Sequence, residues 1–272
     1  MKAQDVLKVA SMPIAGPSYP RPPKGYRFLR REYLIITYLS DPKAIAKAVP
    51  EPLLPDGSNK VLYEFIKMPD SAGFGDYTES GVVIPCTLNG EPVNFTAQMY
   101  LDDEPPITGG REIWGFPKKH AEPSLEVVHD TLTGKLIYAG CEVARGTMNY
   151  KWIDLIDHDP EHAKEIVAKM QKTQANLKLI PSCDGKGWDV AQLVGYNLTD
   201  LEIISAYAGD ARLDLRGHVN APVADLPVLE VIGGNHFIAN LTLPYGRVLH
   251  NYLAPAATVT QDNDEPHHYH GA

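Results

Sequence analysis

The sequence predicts a β-rich α+β fold, a single domain whose mostly antiparallel strands close, or nearly close, into a barrel with a few flanking helices. Three observations carry that expectation. Short runs of β-branched and aromatic residues recur through both halves of the chain, several with the period-two alternation of half-buried strands. Gly, Pro, Asn or Asp bound most of them, and no linker separates the halves. Helical patterns are confined to two stretches.

Taken in order, residues 1–30 carry Pro13, Pro17, Pro20, Pro22 and Pro23. Proline fixes φ and lacks an N–H, so this segment reads as an extended arm laid over the domain. Strands are expected over 33–39, 61–68, 82–88, 93–101, 124–130 and 135–143. Asn89-Gly90 marks a tight hairpin between the third and fourth of these. Thr131 to Gly134 reads as the turn of a second hairpin. One helix opens at Asp41-Pro42, with Asp as N-cap and Pro at the first helical position, and stops at Pro50. Another follows Asp159-Pro160, its acids early and its lysines late, as the helix dipole favours. Strand patterns resume over 188–198, 201–210, 211–218, 228–243 and 246–253. The domain thus runs over 1–253. Residues 254–272 are polar and aperiodic, a disordered tail in which His267, His268 and His270 bind metal at most adventitiously.

Composition bounds the function. The chain has 272 residues, 44% hydrophobic and 22% charged, so neither disorder nor a fibrous class fits. Cys86, Cys141 and Cys183 are far apart with no CxxC pair, which argues against a zinc ribbon or a disulfide framework and for a reducing cytoplasm. A formal charge of −9 excludes the basic footprint of a nucleic-acid binder. Asp5 and Lys8 interrupt the N-terminus too soon for a signal peptide, and no membrane-length apolar run follows. A soluble protein with no membrane partner is expected.

Nucleophile elbows, HExxH helices and P-loops are missing from the sequence, and Gly109-Gly110 and Gly233-Gly234 lack dinucleotide-binding spacing. No dinucleotide site is therefore indicated, and no metal-binding motif is present. The unusual segment is Gly109 to His120, which contains Lys118-Lys119. Adjacent lysines ordinarily mark a solvated face. Here they follow Trp114 and Phe116-Pro117, with glycines at 109, 110 and 115. Bulky apolar groups on a tightly turning backbone can bury a lysine stem. A buried amine beside a second cation has its charged form disfavoured twice, by desolvation and by repulsion. Such an amine is a nucleophile at neutral pH and can form an imine with a ketone.

Six blocks then carry a resemblance: Arg31-Glu32-Tyr33, Tyr63-Glu64, Tyr77-Thr78-Glu79-Ser80-Gly81, Tyr100-Leu101-Asp102, Gly110-Arg111-Glu112 and Phe116-Pro117-Lys118-Lys119. In order and spacing the chain resembles the acetoacetate decarboxylase family from about residue 5 to residue 253, a family that is itself the known example of lysine activation by desolvation or a neighbouring cation. The resemblance implies a cone-like closed barrel with the lysines inside. It also implies cofactor-free decarboxylation of acetoacetate to acetone and carbon dioxide in a homo-oligomer.

By that resemblance Lys118 is the Schiff-base lysine. Lys119 is the neighbour whose ammonium lowers the pKa of Lys118 or holds the backbone. Phe116 is an aromatic wall, Glu79 the active-site glutamate, and Arg31 with Glu64 a pair lining the cavity. Arg31 and Glu64 as a merely structural ion pair, and Glu79 as a surface acid in a turn, are the plainer alternatives. Trp114-Gly115 and the stretch around 182–190 depart from the family pattern. A Schiff-base aldolase or dehydratase acting on a related keto acid is a rival, against which the retained Glu79 argues. A non-catalytic barrel binding carboxylates through Arg31 is another.

Overall fold

The computed structural model describes residues 1–254; the His267, His268 and His270 tail lies outside them. Strands β1 (Tyr26–Leu39), β2 (Leu54–Pro55), β3 (Lys60–Ser71), β4 (Gly75–Leu88), β5 (Glu91–Leu101) and β6 (Lys118–His120) build the first half. The meander β7 (Glu122–Val128), β8 (Thr131–Tyr138) and β9 (Cys141–Asn149) follows. Then come β10 (Ile153–Asp154), β11 (Thr173–Pro181), β12 (Trp188–Tyr196), β13 (Thr199–Gly209), β14 (Ala211–Leu215), β15 (Glu230–Leu243) and β16 (Arg247–Asn251). Helices are short: α1 (Ala3–Val6), α2 (Pro42–Ala48), α3 (Glu104–Gly109), α4 (Leu155–His158) and α5 (Pro160–Gln171). No helix among the described residues is long and apolar enough to cross a membrane.

The large sheet runs β10-β13-β15-β1-β3-β4-β5-β11-β12-β16, with β2 added to β4 and β6 to β5; the small one runs β14-β9-β8-β7. The β-rich α+β class is as expected, but the barrel is not closed. The edge strands β10 and β16 do not pair with each other. They are two and five residues long, and such short edges are a common way to end an open sheet safely. Pairing is also not purely antiparallel, because β5 runs parallel to both β6 and β11.

Alternation along β1 sorts its side chains between two environments. Leu34, Ile36 and Tyr38 join Phe65 of β3 and Ile84 of β4 in a core closed by Leu132 and Leu136 of the small sheet. Tyr33, Ile35 and Thr37 face the other way, into a cavity of about 720 Å³ also lined by Glu64, Glu79 and Val83. Burying a ring such as Phe65, fully enclosed, stabilises the sandwich by about 1.5–3 kcal/mol. Its close seat needs glycine: a Cβ at Gly134 would lie 2.2 Å from the Phe65 ring.

That contact overturns the expected turn at Thr131–Gly134. Those residues lie inside β8, and the turn is His129-Asp130, with His129 at φ 54°. The 135–143 run is likewise two strands, broken at Ala139-Gly140, where φ is 49° and 77°. Asn89-Gly90 does make the expected hairpin, with φ 53° and 85°. Asp41 caps α2 and Asp159 caps α5 as the sequence indicates. The arm is shorter than expected, since β1 already begins at Tyr26. Strand β11 and helix α3 carry no clear pattern in the sequence, and both border the cavity region described next.

Candidate active site

The path to Lys118 starts at α3, where Asp103 caps the Glu104 N–H at 3.0 Å. The helix passes directly into a π-helical turn, Gly110–Trp114, that ends at Gly115 with φ 75°. Only glycine fits that end, because a Cβ there would sit 2.5 Å from Lys178 Cα. Phe116-Pro117 then carries the chain into β6, and Lys118 pairs with Met99 of β5. Gly110 is the surface on which the lysine stem rests: a Cβ there would lie 2.7 Å from Lys118 Cδ.

Lys118 is only 6% exposed. Its Nζ sits 4.9 Å from the Phe116 ring centre and 5.7 Å from that of Tyr77. Glu79, 2% exposed, approaches from β4 on the far side of β5 and places Oε2 3.1 Å from Nζ. Its other oxygen lies 3.6 Å from Arg31 of β1. The Arg31 guanidinium stacks 4.8 Å from the Tyr33 ring centre, and its buried Nε has no hydrogen-bond partner among the described residues. Strands β1, β4 and β6 therefore assemble a cation–anion–amine row inside an apolar hollow.

Burial pushes the Lys118 amine below the ordinary lysine range, the Glu79 carboxylate opposes that shift, and the Arg31 cation adds to it. Burial also pushes the Glu64 carboxyl up to about 7, partly offset by Arg31 and reinforced by Glu79. The phenols of Tyr33, Tyr77 and Tyr196 are raised by burial and stay protonated. The site thus holds an amine that can shed its proton, a fixed anion, a fixed cation and an acid poised near neutrality. That set can form an imine with a ketone and hold the carboxylate of the same molecule.

An independent comparison decides the family. The acetoacetate decarboxylase (ADC) family profile matches residues 11–253. The chain belongs to the acetoacetate decarboxylase family. A relative named acetoacetate decarboxylase from Acidiphilium cryptum (strain JF-5) is 51% identical over 256 residues, covering 93% of this chain and 100% of that one. One from Chromobacterium violaceum is 47% identical, covering 93% and 99%. The crystal structure of an acetoacetate decarboxylase from Legionella pneumophila superposes with a TM-score of 0.84 at 42% identity, covering 92% of this chain and 97% of that one. The family is one of carboxy-lyases, so the expected enzyme class holds.

Within this acetoacetate decarboxylase fold, Lys118, Glu79, Arg31, Glu64 and Phe116 all line one cavity. One plainer alternative fails, and one expected pairing differs. Glu79 is not in a turn but mid-strand in β4. Arg31 pairs with Glu79, while Glu64 projects into the cavity without an ion pair among the described residues. Lys119 stays out altogether: its ammonium donates to the Asn220 carbonyl and lies 5.0 Å from the Tyr138 ring centre. Successive strand residues face opposite ways, so the second cation near Lys118 is Arg31, and Lys119 bonds a backbone carbonyl on the other face.

The sequence reading missed two residues of β11. Asn176, fully buried, donates from Nδ2 to the Trp114 carbonyl at 3.4 Å, and Lys178 donates to the Ile113 carbonyl at 3.3 Å. Two apart on a strand, they share a face and satisfy carbonyls left open at the end of the π turn. The only hint in sequence was a polar Asn within an otherwise unremarkable TQANLKLIP run.

Proposed function

We propose that this protein decarboxylates acetoacetate to acetone and carbon dioxide through an imine on Lys118. The observation that carries the reading is the burial of Lys118 against Gly110, Phe116 and Tyr77, with Glu79 and Arg31 as its charged neighbours. At an ordinary lysine pKa only about one amine in a few thousand is neutral at pH 7. Lowering that pKa raises the share of nucleophile directly.

Neutral Lys118 attacks the ketone carbon, and the carbinolamine hydroxyl takes a proton from solvent and leaves as water to give a protonated imine. The C–C bond to the carboxylate then breaks, its electron pair flowing to the imine nitrogen while carbon dioxide departs. The enamine so formed takes a proton at carbon, and water hydrolyses the imine to free acetone and the lysine. Arg31 receives the substrate carboxylate through its unpartnered Nε. Glu79 fixes an anion beside that carboxylate, so losing neutral carbon dioxide removes one of two crowded negative charges. Glu64, with a pKa near the working range, gives and takes the proton at carbon.

The polypeptide from the arm through residue 253 works as one domain, in a homo-oligomer and in the cytoplasm. The free thiols of Cys86, Cys141 and Cys183 support a reducing compartment.

Borohydride added during turnover of acetoacetate tests the reading. A stable adduct on Lys118, located by mass spectrometry, and loss of carbon dioxide release are expected. A label on Lys119, or none, would overturn it.

A further inference from the structure

Strand register gives the cavity a direction. Ile35, Glu64, Gly81, Met99 and Lys118 lie in one row across β1, β3, β4, β5 and β6. The next row on the same face is Thr37, Leu62, Val83 and Thr96. Beyond it the lining turns polar at Lys60, Ser58, Asp56 and, from α5, Lys169. Arg31 lies on the opposite side of the Lys118 row from Thr37. From Lys118 to the polar rim is two rows, roughly 13 Å at a strand rise of about 3.3 Å per residue. Leu62 and Val83 form its floor, and Ile166 and Met170 of α5 line the same cavity.

Acetoacetate cannot use this space. With its carboxylate at Arg31 and its ketone at Lys118, only a terminal methyl points toward Thr37. Cavities of about 300–1,000 Å³ hold drug-sized ligands, and this one is about 720 Å³. We propose that the site also takes β-keto acids whose unbranched alkyl chain extends along the Leu62–Val83 corridor, releasing the corresponding methyl ketones. This rests on the imine reading of Lys118. The chemistry at the lysine is unchanged, and the product differs only in the chain on the far side of the ketone. The polar rim sets the upper chain length.

The test is carbon dioxide release from acetoacetate, β-ketohexanoate and β-ketooctanoate, each corrected for spontaneous loss. For the natural chain, kcat/KM is expected to rise by about threefold per added methylene. Leu62→Phe and Val83→Phe, made separately, should abolish that rise, read within each variant as the ratio of kcat/KM for β-ketooctanoate to that for acetoacetate, and a thermal melt reports that each variant folds. No release from acetoacetate by the natural chain would overturn the imine reading itself. Release from acetoacetate with kcat/KM falling along the series would overturn the corridor alone, whatever the variants do. A rise that both Phe variants leave intact would overturn the placement of the chain.

Discussion

Lys118 and Lys119, joined by a single peptide bond, send their ammonium groups to opposite faces of β6. One ends over Phe116 beside Glu79; the other reaches Tyr138 and the Asn220 carbonyl. Two positive charges that look coupled in the sequence are separated by the sheet itself.

Lys119→Ala is therefore expected to leave the acidic limb of the kcat/KM profile where it is. It removes a hydrogen bond and a cation–π contact, worth about 1 kcal/mol together at a half-buried site, so the Tm should fall by about 2–4 °C. A pH–rate profile and a thermal melt check both. An upward shift of the limb would restore Lys119 to the electrostatics of the site.

Glu79→Gln keeps size and removes charge. Decarboxylation should fall severely in kcat, because the anion acts as the C–C bond breaks. Imine formation needs only a neutral amine and a reachable ketone. Borohydride trapping with acetylacetone, which cannot decarboxylate, should persist. A parallel loss of trapping would move Glu79 from the bond-breaking step to binding or lysine activation.

Gly110→Ala places a methyl 2.7 Å from Lys118 Cδ. The stem has to leave its rotamer or the π turn has to move, and either displaces Nζ from Glu79. Loss of about two orders of magnitude in kcat/KM is expected, since displacement of about 1 Å at a catalytic group costs that much. Trapping and turnover should fall together here, unlike in Glu79→Gln.

Glu64 ties stability to pH. Its carboxyl is raised from 4.5 to about 7 in the folded chain, so between those values the folded state holds a proton that the unfolded state has released. Stability from this group falls as pH rises through that window and is lowest above 7. The cost there is about 2–3 kcal/mol, allowing for its contact with the cavity. Glu64→Gln should thus be more stable than the natural chain at pH 8 and no more stable at pH 4. Urea unfolding at the two pH values decides it; an equal gain at both would tie the effect to packing.

Asn176→Ala removes the donor to Trp114 from beneath the π turn. Once that turn loosens, water reaches the lysine stem and the desolvation that depresses Lys118 weakens. The acidic limb of kcat/KM should then move upward in pH, a readout that simple loss of stability would not produce. Asn176→Asp, similar in size but lacking the amide donor, should move it the same way.

Much of this was legible in the residues. Alternation in VLYEFIKM and the Asn89-Gly90 turn located strands and a hairpin, and Asp-Pro pairs located both longer helices. Motif blocks identified Lys118 and Glu79. Facing was harder to read. Glu79 looks like a turn residue among Thr, Ser and Gly, but pairing with β5 on one side and β3 on the other makes it a central strand. Gly134 looks like punctuation until Phe65, nearly seventy positions earlier, occupies the space its side chain would need. Asn176 and Lys178 act on carbonyls more than sixty residues away, and no local pattern encodes such a contact.

Glu79 and Lys118 stand on different strands with β5 between them, so their encounter depends on alignment rather than on either residue. A slip of β4 by one position against β5 would turn Glu79 toward the small sheet and leave Lys118 facing a backbone. The Asn89-Gly90 turn starts that alignment at the far end of both strands, roughly 35 Å of chain from Glu79, and the one-residue bulge at Ala97, opposite Val82 and Val83, completes it. A two-residue loop and a single extra residue, neither with chemistry of its own, are in this sense the fiducial marks of the reaction centre. Damage there would yield a protein with intact secondary structure and an amine that never meets its counter-ion.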